Sequence, residues 1–250
     1  MKAIIDNTTW VKLSTTQSLD LPENEKRKVI KGQQIVELIS CQVVDDHYKL
    51  EVLPNEFVYL WKGHATVPDF KEAAELLTKE QLYSIGIYAE KSELDNLLLA
   101  LNNTLNKYEI DTPLRICHFL AQTGHESDGF NTTEEYASGA DYEWREDLGN
   151  IYEGDGVRYK GRGLIQLTGR VNYREFGLYL KMYDLEACPE LVAKPELACD
   201  SSGWFWSSKN LNVLADQDNF DKITRTVNGG TTGYDDRLAY LNRAKQAFSI

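Results

Sequence analysis

Thr112-Pro113-Leu114-Arg115-Ile116-Cys117-His118-Phe119-Leu120-Ala121-Gln122-Thr123-Gly124-His125-Glu126 is the stretch on which the architecture turns. A threonine can cap a helix by accepting from a backbone N–H of its first turn. A proline suits the first helical position, where its missing N–H would have no partner anyway. Leu114, Cys117, Leu120 and Ala121 then recur at three- and four-residue spacing, which marks one apolar helix face. The pattern predicts a helix opened by Thr112 and Pro113 and ending near Gly129. It delivers His125 and Glu126 to the point where the chain enters a long polar segment.

The same periodicity extends outward on both sides. Leu94, Leu97, Leu98, Leu101 and Leu105 predict a helix over Ser92–Tyr108, with Ser92 as its cap. Further helices are expected at Asn172–Lys181, Ser201–Ser208, Phe220–Val227 and Asp235–Phe248. Between them Asn131–Gly169 is long, polar and glycine-containing, and a connection of that length within a compact domain is usually functional. The first 61 residues read differently. Thr9–Leu13, Gln34–Ile39, His47–Val52 and Phe57–Trp61 are short, β-branched and aromatic, and separated by turn formers such as Pro22-Glu23-Asn24-Glu25 and Asp45-Asp46. They suggest a small all-β barrel similar to SH3-like modules, either a cell-wall-binding unit or a structural cap. Gly63 and Pro68 place a linker at residues 62–71. The expected organisation is thus a small β domain over 1–61 and a helical domain over 72–250, a mainly α chain, with helix from Phe70 onward.

Composition narrows the function classes. The chain has 250 residues, 42% hydrophobic and 26% charged, as in ordinary folded proteins. A formal net charge of −12 argues against nucleic acid, whose phosphates demand a basic surface, and against anionic membranes. The acidity belongs to the helical part. No stretch approaches a membrane span. Asp6 interrupts the start Met1-Lys2-Ala3-Ile4-Ile5, so no signal peptide is visible. A route from the cytoplasm by release, or by another export path, is then expected for any work on a cell wall. Cys41, Cys117, Cys188 and Cys199 are too few for a disulfide scaffold, although Cys188 and Cys199 are close enough in sequence to pair. His125-Glu126 resembles the start of a zinc-peptidase HExxH, but Gly129 stands where the second histidine is required. No metal, no cofactor and a monomer are expected.

What the residues do offer is carboxylates. Glycosidic hydrolysis needs one carboxyl to protonate the leaving oxygen and a second to activate water or attack carbon. The acid has to stay protonated near working pH, for which an apolar setting is the usual device. Glu126, at the end of an apolar helix, is eligible, and Glu135 on the following loop is an eligible partner. On spacing alone Asp128, Asp141, Glu143, Glu146 and Asp147 remain open alternatives.

A resemblance selects among them. Thr112-Pro113-Leu114-Arg115, Phe119-Leu120-Ala121-Gln122, His125-Glu126-Ser127 and Glu134-Glu135-Tyr136-Ala137-Ser138-Gly139 occur in order. They are followed by Asp147-Leu148-Gly149-Asn150, Tyr159-Lys160-Gly161-Arg162-Gly163-Leu164-Ile165-Gln166-Leu167-Thr168-Gly169-Arg170, Asn172-Tyr173, and Ile223-Thr224 with Val227-Asn228-Gly229-Gly230. Over roughly residues 75 to 248 this resembles glycoside hydrolase family 19, the plant-type chitinases and many endolysins. The resemblance implies a lysozyme-like helical fold with a deep cleft and an inverting mechanism. It implies Glu126 as general acid and Glu135 as base, with Glu134 exchanged for Glu135 if the alignment slips by one. Thr168 would help hold the attacking water, while Gln166, Asn172, Asn228 and Arg237 would bind sugar. Each has a plainer reading: Asn228 as a helix-terminating turn, Arg237 as an ion-pair partner, Gly161 and Gly163 as tight-turn residues. The run Trp204-Phe205-Trp206 reads as core rather than as a sugar platform.

The short segment between the two glutamates and the absence of a disulfide framework resemble the compact bacterial and phage branch. The expected substrate is therefore an N-acetylglucosamine-containing polysaccharide, peptidoglycan ahead of chitin. A non-catalytic glycan-binding protein on the same scaffold is the competing class.

Overall fold

In a computed structural model of the chain, residues 1–16, 20–44, 46–53, 56–68, 74–87 and 91–250 are described, excluding the side chains of residues 40 and 91–93. Two compact units result, Met1–Ala73 and Ala74–Ile250.

The first unit contains β1 (Ala3–Ile5), β2 (Thr9–Lys12), β3 (Lys26–Val29), β4 (Gln34–Ile35), β5 (Ser40–Val44), β6 (His47–Leu53), β7 (Glu56–Trp61) and β8 (Ala65–Thr66). They form an antiparallel sheet ordered β3-β2-β7-β6-β5 and a smaller one ordered β4-β1-β8. Ala3, Ile5, Leu38, Leu50, Leu60, Ala65 and Val67 close its core. β1, β3, β5 and β8 carry no alternating pattern long enough to stand out in the sequence. β8 corrects the expected linker: Ile4 pairs with Thr66 and Ile5 with Ala65, so the chain is still in a sheet at residues 65–66. The last part of that linker, residues 69–71, lies outside the described residues, as does Asp45 of the expected turn. With two sheets present, "mainly α" holds for the second unit only.

That unit contains α1 (Lys79–Ile85), α2 (Lys91–Lys107), α3 (Pro113–Glu126), α4 (Asp155–Arg158), α5 (Arg170–Leu180), α6 (Pro195–Ser208), α7 (Leu211–Asp216), α8 (Phe220–Asn228) and α9 (Tyr234–Ala247). The Thr112 side chain accepts from the Arg115 N–H at 3.3 Å, and Pro113 takes the first helical position. α3 stops at Glu126, three residues before the Gly129 expected. α2 is already formed at Lys91, one residue ahead of the Ser92 expected as its cap, whose side chain lies outside the described residues. Phe70, expected to begin the helical region, also lies outside them, and residues 74–78 are not helical.

The core of the unit wraps α3. Ile116, Cys117, Phe119, Leu120 and Ala121 pack among Leu97, Leu101, Leu105, Trp206, Ile223 and Leu241. Trp206 is fully buried edge-on against Phe119, with ring centroids 5.4 Å apart, and Trp204 packs on Phe176 at 5.4 Å. The aromatic run is core, as its helical setting suggested. Cys199 is buried in this cluster, and all four cysteines are free thiols.

Candidate active site

α3 positions Glu126 and α9 holds it there. The two helices pack side by side closely enough that a Cβ on Gly124 would lie 3.2 Å from the Tyr240 ring. Gln122, one turn before Glu126 and on the same face, is completely buried; its Nε2 donates to the Thr224 hydroxyl at 3.1 Å. Its Oε1 accepts from Arg237 Nη1 at 2.8 Å. Arg237 also donates from Nε to the Thr232 carbonyl at 3.3 Å and from Nη2 to Glu126 Oε1. His125 adds a second tie between the helices, Nδ1 to Asp236 at 2.6 Å.

Two expectations change here. Arg237 was to line the cleft and bind sugar, yet it is 0% exposed, with Nε, Nη1 and Nη2 each donating to a protein partner: Thr232, Gln122 and Glu126. Its plainer reading, an ion-pair partner, is what the structure contains, and the partner is the carboxylate expected to act as acid. Glu126 does not sit in a purely apolar setting either. Its side chain is 20% exposed with one oxygen on the guanidinium. Its other oxygen makes no hydrogen bond among the described residues, so Oε2 is the atom left to meet a substrate.

Glu135 is held by a separate set of donors. Tyr142 donates its hydroxyl to Oε1 at 3.0 Å, and the Gly161 N–H donates to Oε2 at 3.1 Å. Burial, and then this bond to Glu135, keep the Tyr142 phenol above its ordinary pKa, so it remains a donor. An ionised carboxylate has about four lone-pair sites. With two donors in place Glu135 retains capacity to accept from water. Glu134 faces elsewhere: Arg162 and Lys160 approach its Oε1 at 3.0 and 3.2 Å. Burial alone would raise its carboxyl, but the hydrogen bond from Lys160 and the charges of Arg162 and Lys160 hold it below the usual value. A carboxylate locked between two cations is poorly placed to take a proton from water.

The remaining sugar-binding candidates divide. A Cβ on Gly161 would lie 2.6 Å from Gln166 Oε1 and 3.2 Å from Glu135 Oε2, so these three residues meet. Thr168 donates its hydroxyl to the Gln166 carbonyl at 2.8 Å, and Asn172 donates to the Thr168 carbonyl at 2.6 Å. The Thr168 oxygen keeps its lone pairs for a water. Asn228, by contrast, ends α8 and accepts from the Thr232 N–H at 3.2 Å. It shapes the turn that delivers Arg237, with Gly229 at φ 74° supplying the left-handed step. Gly163, at φ 78°, lies where a Cβ would fall 2.4 Å from Ser201 Oγ. Gly163 is therefore a packing and turn residue, whereas Gly161 is a close-approach residue at the site.

The loop bearing Glu135 is drawn back to the end of α3. The Thr132 N–H donates to the Ser127 carbonyl at 3.2 Å, and Tyr136 donates to Asp128 at 3.2 Å. Asn131–Gly169 is not irregular: short helical turns at Ala140–Tyr142 and Glu146–Leu148, α4, and bridges Glu134↔Arg162 and Arg162↔Leu167 order it. Asn150 donates to the Tyr142 carbonyl at 2.9 Å and accepts from the Arg170 N–H at 2.9 Å. Gln122, Tyr142, Asn150 and Thr224 escaped the sequence reading as working residues. Only Gln122 left a positional signal, a polar residue on the buried face four positions before Glu126.

Replacing Gly161 by alanine should push Gln166 and Glu135 out of position. A displacement of this size costs on the order of 10- to 100-fold in kcat/KM. The melting temperature should barely move; an unchanged kcat/KM would remove Gly161 from the site.

A charged cluster braces the same loop. Asp155 accepts from Arg170 and from the N–H groups of Ile151 and Tyr152, both at 3.0 Å. Arg170 also reaches Glu186, which Arg174 holds at 2.8 Å. Hydrogen bonding to Arg174, working against burial and with Arg170, holds the Glu186 carboxyl at about 2, below its ordinary 4.5. As pH falls, the unfolded chain takes up this proton first. The stabilisation is therefore complete above pH 4.5 and is lost as pH falls towards 2. With solvent screening of a partly exposed pair it amounts to about 1 kcal/mol. In Glu186→Gln, the stability drop between about pH 5 and pH 3, read by urea titration, should shrink by about half that amount.

Comparison with known proteins identifies the family. A family model described as class I chitinase matches residues 106–221. A glycosyl hydrolase family 19 domain-containing protein of Haemophilus influenzae is 34% identical over 151 residues, covering 48% of this chain and 72% of that protein. An endochitinase of Arabidopsis thaliana is 38% identical over 118 residues, or 46% of this chain, and the match spans only 39% of the plant protein. Among solved structures, chitinase C from Streptomyces griseus HUT6037 superimposes with a TM-score of 0.59 at 20% identity, covering 70% of this chain and 94% of that one. At that identity the superposition speaks to fold alone.

Proposed function

The chain belongs to glycoside hydrolase family 19, and on that premise we propose that it hydrolyses β-1,4 bonds of an N-acetylglucosamine-containing polysaccharide with inversion at the anomeric carbon. The observation that carries this reading is the division of labour between two differently held carboxylates. Glu126 keeps Oε2 free beside a buried guanidinium, and Glu135 is oriented by Tyr142 and Gly161. In the proposed reaction Glu126 gives its proton to the leaving glycosidic oxygen. Glu135 takes a proton from a water, which attacks the anomeric carbon from the opposite face as the old C–O bond breaks. Thr168 helps hold that water, and Gln166 and Asn172 are proposed to meet the sugar's acetamido and hydroxyl groups, which present donors and acceptors together.

Peptidoglycan is the polymer we put first, because the connection between the two glutamates is compact and a small β unit precedes the catalytic one. We read that β unit as an SH3-like wall-binding module. Chitin is the second reading, favoured by the printed names of the plant and Streptomyces relatives and by a net charge of −12, which an anionic wall would not attract. Loss of turbidity of purified peptidoglycan, measured beside release of soluble oligosaccharides from chitin, separates them. Clearing of the wall with little chitin cleavage supports the first order. Chitin cleavage without clearing reverses it.

A further inference from the structure

A second hollow lies away from these carboxylates, where the C-terminal end of α2, the C-terminal half of α5 and the α6–α7 turn converge. It encloses about 370 Å³, within the roughly 300–1,000 Å³ typical of ligand clefts. None of its lining residues belongs to the groups assigned to catalysis.

Tyr179 dominates it. The residue is 50% exposed, on the outer face of α5 beside the equally open Leu178. Yet it is braced from behind. It stacks on Tyr108 with centroids 6.3 Å apart and planes 27° apart. The Lys107 ammonium lies 5.1 Å from the Tyr108 ring and 5.4 Å from the Tyr179 ring. Asp200 fixes the two residues behind Tyr179, accepting from Lys107 at 2.8 Å and from the Tyr108 hydroxyl at 2.7 Å. An aromatic surface held in place before a ligand arrives loses little freedom on binding.

The rim tells what kind of ligand would suit. Asn212 is a fixed wall, its amide committed to the Tyr108 and Glu109 carbonyls at 3.1 Å and to the Trp206 indole at 2.8 Å. Asn210 and Ser207 also line the hollow, and no side-chain hydrogen bond is made by either among the described residues. Lys107 is paired with Asp200 and Glu109 also lines the hollow, so among the described lining residues no unpaired cation is left to hold an anion. An open aromatic face beside unpaired amide and hydroxyl groups fits a neutral ring with an apolar C–H face and an equatorial belt of hydroxyls.

We propose that this hollow is a second carbohydrate site, where a pyranose unit of the substrate polysaccharide stacks on Tyr179 while Asn210 and Ser207 bond its hydroxyls. The inference rests on the polysaccharide reading above. Its role would be to retain a long polymer on the catalytic unit, with no part in bond cleavage.

The full chain carrying Glu126→Gln, expected to turn over substrate about 10²–10⁴-fold more slowly, provides the test. Amide NMR shifts are followed while adding either the β-1,4-linked N-acetylglucosamine tetramer or a soluble peptidoglycan tetrasaccharide. Two sets of signals should move, one around Gly161 and Gln166, the other around Tyr179 and Asn210. Adding Tyr179→Ala should weaken the second response roughly three- to tenfold and leave the first unchanged. Tyr179→Phe, which keeps the ring, should retain both and serves as the folding control. Movement at Gly161 and Gln166 alone with both probes overturns the second site and leaves the polysaccharide reading standing. Movement at neither set with either probe overturns both.

Discussion

Glu126→Gln should lower kcat by about 10²–10⁴-fold, the usual contribution of general acid catalysis, while the protein still folds at some cost in stability, because the buried Arg237 loses its counter-charge. Glutamine keeps an oxygen for Arg237 but has no acidic proton to give. The loss should therefore be greatest on substrates whose leaving group needs protonation. A substrate with a strongly acidic leaving group, such as a dinitrophenyl glycoside, should recover part of the rate. Glu135→Gln should lose activity comparably without that recovery, because a good leaving group does not replace the base. Glu134→Gln should keep most of the activity, since Glu134 is engaged by Lys160 and Arg162. If Glu134→Gln is the dead variant and Glu135→Gln the active one, the base has been assigned to the wrong neighbour. Full activity in Glu126→Gln would sink the acid assignment. Glycan binding without hydrolysis in the parent itself would turn the chain into a binding protein on an enzyme scaffold.

The second large effect is expected at Arg237. Methionine there fills much of the same volume but leaves Gln122 Oε1 and Glu126 Oε1 without their donor. Breaking a buried ion pair from one side costs about 3–5 kcal/mol. Glu126 is 20% exposed and can recruit water, so about 2–3 kcal/mol is expected here. Activity should fall by more than about 100-fold, because the carboxylate loses the contact that orients it. A double-mutant cycle separates the two contributions. In a Glu126→Gln background, the stability cost of Arg237→Met should be smaller, since no charge is then left unpaired. Equal costs in both backgrounds, read from urea denaturation, would mean that Arg237 acts only through packing.

α3 was legible because its start uses chemistry that few other structures want, a threonine cap followed by proline, and because its apolar spacing is unbroken. β3 was not, since Lys26-Arg27-Lys28-Val29 has no alternation to read. β1 and β8 are short strands whose pairing partner lies about sixty positions away, as Ile4 with Thr66, and only the folded sheet reveals them. At the site, the sequence made Glu126 and Glu135 eligible and the family resemblance ordered them. It could not separate Glu134 from Glu135, because adjacent residues differ only in which neighbours the loop turns towards. Arg237 did leave a trace that was misread. It stands one turn before Leu241 and two before Ala244, all buried on one face of α9, which is where a side chain turned inward should be found. Tyr142 left none, since nothing in a loop's order of residues fixes which hydroxyl meets which carboxylate.

The Arg237 contacts also set when this site comes into being. Glu126 and Arg237 are 111 positions apart, Gln122 and Arg237 are 115, and Gln122 and Thr224 are 102. Contacts of such separation form late, after much loop entropy has been lost. A chain emerging from a ribosome would display both glutamates, with α3 complete, long before the arginine that orients one of them exists. Catalytic competence is thus deferred to the docking of α9. A cell assembling this hydrolase would carry it as an idle chain until α9 is made.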